Sequence, residues 1–143
     1  MKLAKSLPVE FADLEPFLDW ALPGETLRRQ KRESLSLEEI SEFYDAVLPR
    51  ANAVFDYFRA AEVEAGGADK VNPETRSLFT LMLAFSEASL SVELHKSPIV
   101  PDGMPGDIWK PEHETPGWKN KPKIRLMPRV ATDPMNVIAV TAA

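Results

Sequence analysis

Small and polar side chains lie along one predicted helix face, and they are the residues of this chain best suited to chemistry. Thr80, Ala84, Glu87, Ser91 and His95 follow one another at intervals of four, three, four and four residues, which places all five on one helix face. Burial disfavours the charged form of a carboxyl group, so a pocket around Glu87 would raise its pKa and suit it to acid or base chemistry. Glu87 and His95 are eight residues apart, roughly 12 Å along the axis at about 1.5 Å per residue, which excludes a direct dyad.

Two interpretations of this face remain open. In the first, the face lines an apolar pocket between two long helices, and the chain binds or transforms a small apolar compound. The residues that would contact such a ligand are Tyr44, Val47, Phe79, Leu83, Glu87, Ser91 and His95. In the second interpretation, the small side chains pack against a neighbouring helix and Glu87 is paired or exposed, as in many plain helical bundles.

Other chemistries find little support in the residue types. The chain has no cysteine and only two histidines, and neither histidine follows a glutamate by three residues as di-iron helices require. No glycine-rich phosphate loop or G-x-S-x-G nucleophile turn occurs. We therefore predict no metal site and no cofactor, and Glu87 remains the sole, weakly supported catalytic candidate.

Helical patterns dominate the first two thirds of the chain. Ser36 and Glu39 match a capping box, and apolar residues then recur at helical spacing as far as Phe58. Pro49 predicts a kink in this helix, and the glycine pair at 66–67 predicts its end. A second long helix is expected to begin at Asn72 and to run to about residue 95, and because its segment 78–85 is apolar on nearly every side, we expect that segment to be buried. Two shorter helices are predicted over residues 13–22 and 25–33.

The second short helix carries a dense basic run of Arg28, Arg29, Lys31 and Arg32. Such a run suits a phosphate or an acidic partner, but it also suits a solvated helix face balanced by nearby glutamates. The net charge of −5 favours the solvated face. It also gives the chain no general attraction to nucleic acid or to anionic membranes.

Proline sets the last third of the chain apart. Eight of the 13 prolines lie in residues 97–143, a spacing through which no helix can run. Residues 124–130 and 136–141 have strand-like composition. The fold class is therefore predicted to be mainly α, with a small bundle of about four helices over residues 1–96 and an extended, proline-rich arm over 97–143 that includes these two short β-strand candidates.

Large apolar side chains on such an arm are expected to be buried, either against the bundle or against another chain. The partner-binding candidates are Trp109, Trp118, Ile124 and Leu126, because aromatic anchors dominate interface energies.

Several short runs resemble a group of short uncharacterised bacterial proteins. They are Phe11-Ala12-Asp13-Leu14-Glu15-Pro16-Phe17, Trp20-Ala21-Leu22-Pro23, Phe43-Tyr44-Asp45-Ala46, Leu48-Pro49-Arg50 and Val100-Pro101-Asp102-Gly103. That group is associated with gene neighbourhoods for the breakdown of aromatic or xenobiotic compounds. The resemblance covers about residues 8–103, brings no catalytic residues with it, and implies a bacterial, catabolic context.

The sequence thus predicts a non-catalytic accessory subunit of a larger bacterial enzyme complex, docking through its C-terminal arm. A small helical ligand-binding protein or enzyme with a pocket around Glu87 is the first alternative, and a homo-oligomer with exchanged arms is the second. We expect a cytoplasmic location and a protein partner or second copy, with a small apolar ligand as the other possibility. No apolar run is judged long enough to span a bilayer.

Overall fold

The computed structural model describes residues 3–103. Within that range the chain forms helices and no strand, which confirms the mainly α bundle. The predicted arm lies almost entirely outside the described residues, as do both strand-like stretches and the partner candidates Trp109, Trp118, Ile124 and Leu126.

Four α-helices make the body, and local sequence signals set their ends. Their bounds are Glu25–Ser34 (α1), Leu37–Val47 (α2), Ala51–Ala65 (α3) and Pro73–Ser89 (α4). The capping box of Ser36 and Glu39 starts α2, and the side chain of Asn72 accepts a hydrogen bond from Thr75 N at the start of α4. Gly66 ends α3 in the left-handed conformation, with φ of 72°. These three predictions are confirmed.

The predicted kink at Pro49 is a short 3-10 turn, Leu48–Arg50, that separates α2 from α3. The ring of Pro49 cannot sit inside a regular α-helix, because it lacks the amide donor and clashes with the preceding turn. The chain therefore forms two helices where one kinked helix was predicted.

The first predicted helix is wrong in type and extent. The chain forms a 3-10 segment, Val9–Trp20, in place of an α-helix over residues 13–22. Phe11 has non-helical backbone angles that divide this segment, and Pro16 lies within it. Of the residues predicted to face inward, Leu14 and Ala21 are nevertheless buried, and Phe11 and Trp20 are buried with them.

Helix α4 is the central element. It contacts α1, α2, α3 and the 3-10 segment, and it continues from Ser89 into a π-helical stretch, Leu90–His95. The core it shares with α2 and the 3-10 segment is apolar, and its fully buried side chains include Ile40, Phe43, Val47, Leu78 and Leu81. Trp20 stacks on Phe43 with ring centroids 4.2 Å apart. The helical part of the described chain ends at His95, next to the boundary predicted at residue 96.

Candidate functional site

Glu87 faces α1, where it forms the main ion pair between α1 and α4. Arg28 Nε donates to Glu87 Oε1 at 2.7 Å, and its Nη1 donates to the carbonyl oxygen of Leu22 at 3.2 Å. Arg32 Nη1 donates to the backbone carbonyl oxygen of Glu87 at 3.4 Å. The Arg28 side chain is 10% exposed and that of Glu87 is 21% exposed. The carboxylate therefore serves as the anchor that holds α1 on α4.

The environment of Glu87 shifts its pKa in the predicted direction. Burial raises the pKa of Glu87 above its usual value of 4.5, and the hydrogen bond and charge of Arg28 lower it by less. Because Arg28 is already within hydrogen-bond distance, this raised pKa belongs to a paired carboxyl group. The geometry thus favours the interpretation in which Glu87 is paired and its face packs against a neighbouring helix.

The basic run was wrongly predicted to be a solvated face. Arg28 and Arg32 are 9% and 7% exposed, and Lys31 lies 2.5 Å from Asp19 and over the ring of Trp20. Arg28 and Arg32 are four residues apart and so share the face that meets α4. A signal for this was present in the sequence: Glu87 is the sole ionisable residue between Arg76 and Glu93, and a carboxylate in so apolar a helix needs a buried cation.

Ser91 and His95 do not join Glu87 in a cluster. Ser91 is fully buried, and its Oγ has no hydrogen-bond partner among residues 3–103. The side chain of His95 is half-buried at the end of the π-helical stretch. Tyr44 stacks on Phe85 and donates its hydroxyl proton to Glu93, whose carboxylate raises the pKa of Tyr44. Each of these groups has a separate environment.

Two predicted ligand contacts of α4 face outward. Phe79 is 50% exposed and Leu83 is 36% exposed, so the prediction that segment 78–85 is buried on all sides is wrong. Leu90 and Leu94 are also exposed, at 46% and 69%. We call the surface formed by Phe79, Leu83, Ser86, Leu90 and Leu94 the α4 stripe. The sequence did not reveal it, because in an almost wholly apolar helix the core face and the outer face have the same composition.

A pocket lies between α3 and α4, on a different part of the body from Glu87. Its volume is about 440 Å³, a size that suits a small molecule. Phe58 and Phe79 form one wall with rings 5.7 Å apart at a steep angle, and Arg76 at the rim donates to the carbonyl oxygen of Asp69. The lining residues are Phe58, Glu62, Ala68, Asp69, Val71, Thr75, Arg76 and Phe79. Of the seven ligand-contacting residues predicted, only Phe79 lines this pocket.

Two further properties concern the described part of the chain. Residues 3–103 contain no group of three or more His, Asp or Glu side chains placed to hold a metal ion. One helical segment there, Pro73–His95, is long and apolar enough to cross a bilayer by length and composition, with a mean hydropathy of 1.3 in its most apolar 18-residue window. The judgement that no segment reaches this length was therefore wrong, although buried core helices pass the same test.

The fold and these contacts define a small helical bundle. Its central helix, α4, is joined to α1 by an ion pair and bears the apolar α4 stripe on its outer face. No protein-family model matches the chain, and no curated protein or solved structure has significant similarity to it.

Proposed function

We propose that this chain is a non-catalytic interaction subunit of a larger assembly. In this proposal the helical body is a scaffold, and the C-terminal arm docks on an enzyme partner through Trp109, Trp118, Ile124 and Leu126. The resemblance to short bacterial proteins suggests a catabolic enzyme as that partner.

The α4 stripe is the observation that carries the proposal. Between residues 79 and 94, the exposed positions of α4 and the π-helical stretch are Phe79, Leu83, Ser86, Leu90, Glu93 and Leu94. A helix that faces only water carries charged and polar side chains on its outer face. Contiguous apolar surface of this kind marks an interaction site, so the stripe supports a role within an assembly.

The environment of Glu87 supports a structural role for that residue. Its carboxylate oxygen is 2.7 Å from Arg28 Nε, and that guanidinium also bonds to the carbonyl oxygen of Leu22. Protonation of this carboxylate would weaken its ion pair with Arg28, so an acid or base at this position would act at the expense of the contact between α1 and α4.

Capture of a defined partner tests the proposal. The full-length chain, tagged at its N-terminus, is expressed in its native host, and the proteins that co-purify in fixed stoichiometry are quantified. We expect one such partner with the wild type, and we expect its loss when residues 104–143 are deleted or when Trp109→Ala and Trp118→Ala are combined.

Val63→Glu is the matched control, since Val63 is an apolar side chain of α3 that is 82% exposed. This variant should retain the partner. Far-ultraviolet circular dichroism should be the same for all variants, because the described core lies within residues 7–88. Retention of the partner after deletion of the arm would refute docking through the arm.

A small-molecule binder is the second candidate, and the pocket between α3 and α4 is the observation that favours it. Its volume and its aromatic wall suit a small apolar compound. The fluorescent probe 1-anilinonaphthalene-8-sulfonate should then bind with one-to-one stoichiometry, and Ala68→Phe should remove binding by filling the pocket. Equal probe binding by wild type and Ala68→Phe would count against this candidate.

A further inference from the structure

We infer that the α4 stripe is the surface on which two copies of this chain pair, with the two α4 helices antiparallel across a twofold axis next to Ser86. The inference rests on the proposed function and deepens it by naming what covers the stripe. Each dimer would then carry two arms for docking.

The stripe is narrow and straight, as a helix-pairing surface must be. Successive residues of an α-helix are rotated by about 100°, so Leu83, Ser86 and Leu90 all lie within about 40° of the direction of Phe79. The π-helical stretch Leu90–His95 contains more residues per turn than an α-helix. Leu94 therefore turns back towards the direction of Phe79 instead of drifting further from it.

The spacing of the stripe is the same in both directions along the helix. The large apolar side chains are separated by four, seven and four residues, and the midpoint falls between Ser86 and Glu87. A twofold interface requires one surface to be complementary to itself. In the antiparallel arrangement Phe79 meets the partner's Leu94, Leu83 meets the partner's Leu90, and the small side chain of Ser86 lies beside the axis, where the helices approach most closely.

The pocket between α3 and α4 favours the antiparallel arrangement over a parallel one. It opens beside Phe79, at one end of the stripe. Leu94, at the other end, is the most exposed apolar residue of the stripe, at 69%. Antiparallel pairing places the partner's Leu94 beside Phe79 at the edge of the pocket, whereas parallel pairing places Leu94 against the partner's Leu94 and adds no side chain at either pocket.

The size of the stripe indicates a dimer of moderate affinity. The exposed parts of its four apolar side chains together amount to about two complete large side chains, on the order of 400 Å² for each protomer. Two copies would bury roughly 800 Å² of apolar surface and, with the flanking residues, about 1,000 Å², at the low end of specific interfaces. An interface of this size is typical of weak, transient pairing, so we expect a dimer that dissociates on dilution.

The charge of the stripe argues against a bilayer surface as the occupant. Helices that lie on membranes carry lysine and arginine along the border of their apolar face. Between Phe79 and Leu94, the described chain has no basic residue, and its one exposed charge is Glu93. An uncharged, self-complementary stripe fits a second copy better.

Disulfide cross-linking of the full-length chain tests the arrangement. Since the natural sequence has no cysteine, each introduced thiol is the sole reactive one in its chain. Under mild oxidation, Ser86→Cys should form a covalent dimer, because the two positions are offset by about 1.5 Å along the helix axis. Leu83→Cys and Leu90→Cys should cross-link when mixed but not when separate, and Val63→Cys is the exposed control that should form no covalent dimer.

Charge substitution provides a reversible readout by sedimentation equilibrium. Leu83→Glu and Leu90→Lys should each raise the dimer dissociation constant by at least ~10-fold, and an equimolar mixture of the two should associate again because the introduced charges face each other. Circular dichroism should not change, as both side chains are exposed. The same two variants, assayed by co-sedimentation with vesicles of neutral and anionic lipid, should bind no differently from wild type.

Four results would each overturn the inference. They are a monomer at 100 μM, cross-linking of Leu83→Cys with itself, association that depends on residues 104–143 and not on the stripe, and stripe-dependent binding to vesicles. Partner capture that persists while the dimer is absent would refute this inference and leave the proposed function intact. Cross-linking at Ser86→Cys without any arm-dependent partner would support this inference and refute the proposed function.

Discussion

Arg28→Met is expected to destabilise the protein strongly at neutral pH and much less at pH 5. The substitution keeps the length of the side chain but removes the cation 2.7 Å from Glu87. It also removes the hydrogen bond to the carbonyl oxygen of Leu22. The carboxylate of Glu87, 21% exposed, would then lie in an apolar helix without its partner.

The stability lost in Arg28→Met has an upper limit, because Glu87 can take up a proton instead of remaining charged. Protonation at pH 7 of a carboxyl group with an ordinary pKa of 4.5 costs about 3.4 kcal/mol, at 1.36 kcal/mol per pH unit. At pH 5 the same step costs about 0.7 kcal/mol. With about 1 kcal/mol for the lost hydrogen bond to Leu22, we expect a loss of about 2–4 kcal/mol at pH 7 and about 1–2 kcal/mol at pH 5.

The double variant Arg28→Met/Glu87→Leu should recover most of this stability, since an apolar pair can replace a buried ion pair at little cost. Urea unfolding followed by circular dichroism, at pH 7 and pH 5 and at one protein concentration, measures all three proteins. The exposed pair Asp56–Arg59, with nitrogen and oxygen also 2.7 Å apart, is the control, and Arg59→Met should have no measurable effect at either pH. A double variant no more stable than Arg28→Met, or a loss that does not depend on pH, would refute this account of Glu87.

Four further predictions follow from single residues. Because burial raises the pKa of Glu87, the folded protein binds the carboxyl proton of Glu87 more tightly than the unfolded chain does. The stability of wild type relative to Glu87→Gln should therefore fall as pH rises above about 4.5 and level off above the folded-state pKa of Glu87. Urea unfolding at a series of pH values measures this difference. Ser91→Ala removes a fully buried hydroxyl group that no described residue hydrogen-bonds, and it should stabilise the protein by about 0.5–1 kcal/mol in urea unfolding. Phe43→Ala should reduce the stability of the fold by about 3–5 kcal/mol, and Phe55→Ala by less than about 1 kcal/mol, because Phe55 is half-exposed. Equal losses for the two variants in thermal unfolding would contradict the placement of Phe43 in the core. Gly66→Ala meets no atom within 4 Å, so only its left-handed backbone opposes it, and a loss of about 1 kcal/mol in urea is expected.

Helix ends were predictable because their causes are local. The Ser36 and Glu39 hydrogen bonds, the Asn72 cap and the left-handed Gly66 each involve residues within a few positions of one another. The 3-10 segment Val9–Trp20 was not predictable in type. Its side chains have helical spacing, and only packing of Phe11, Leu14 and Trp20 into the core selects the tighter and irregular backbone.

Local residue patterns were enough to predict that this chain forms helices within residues 25–95, where most of them begin and end, and that Glu87 lies among apolar residues. Only the packing of the helices on one another set which faces of α1 and α4 are inside. It buried Arg28 and Arg32, predicted to be solvated, and exposed Phe79 and Leu83, predicted to be buried. The physical reason is that hydrogen bonds at a helix end join neighbours in the chain, whereas burial depends on residues as far apart as Arg28 and Glu87, which meet only when α1 packs on α4.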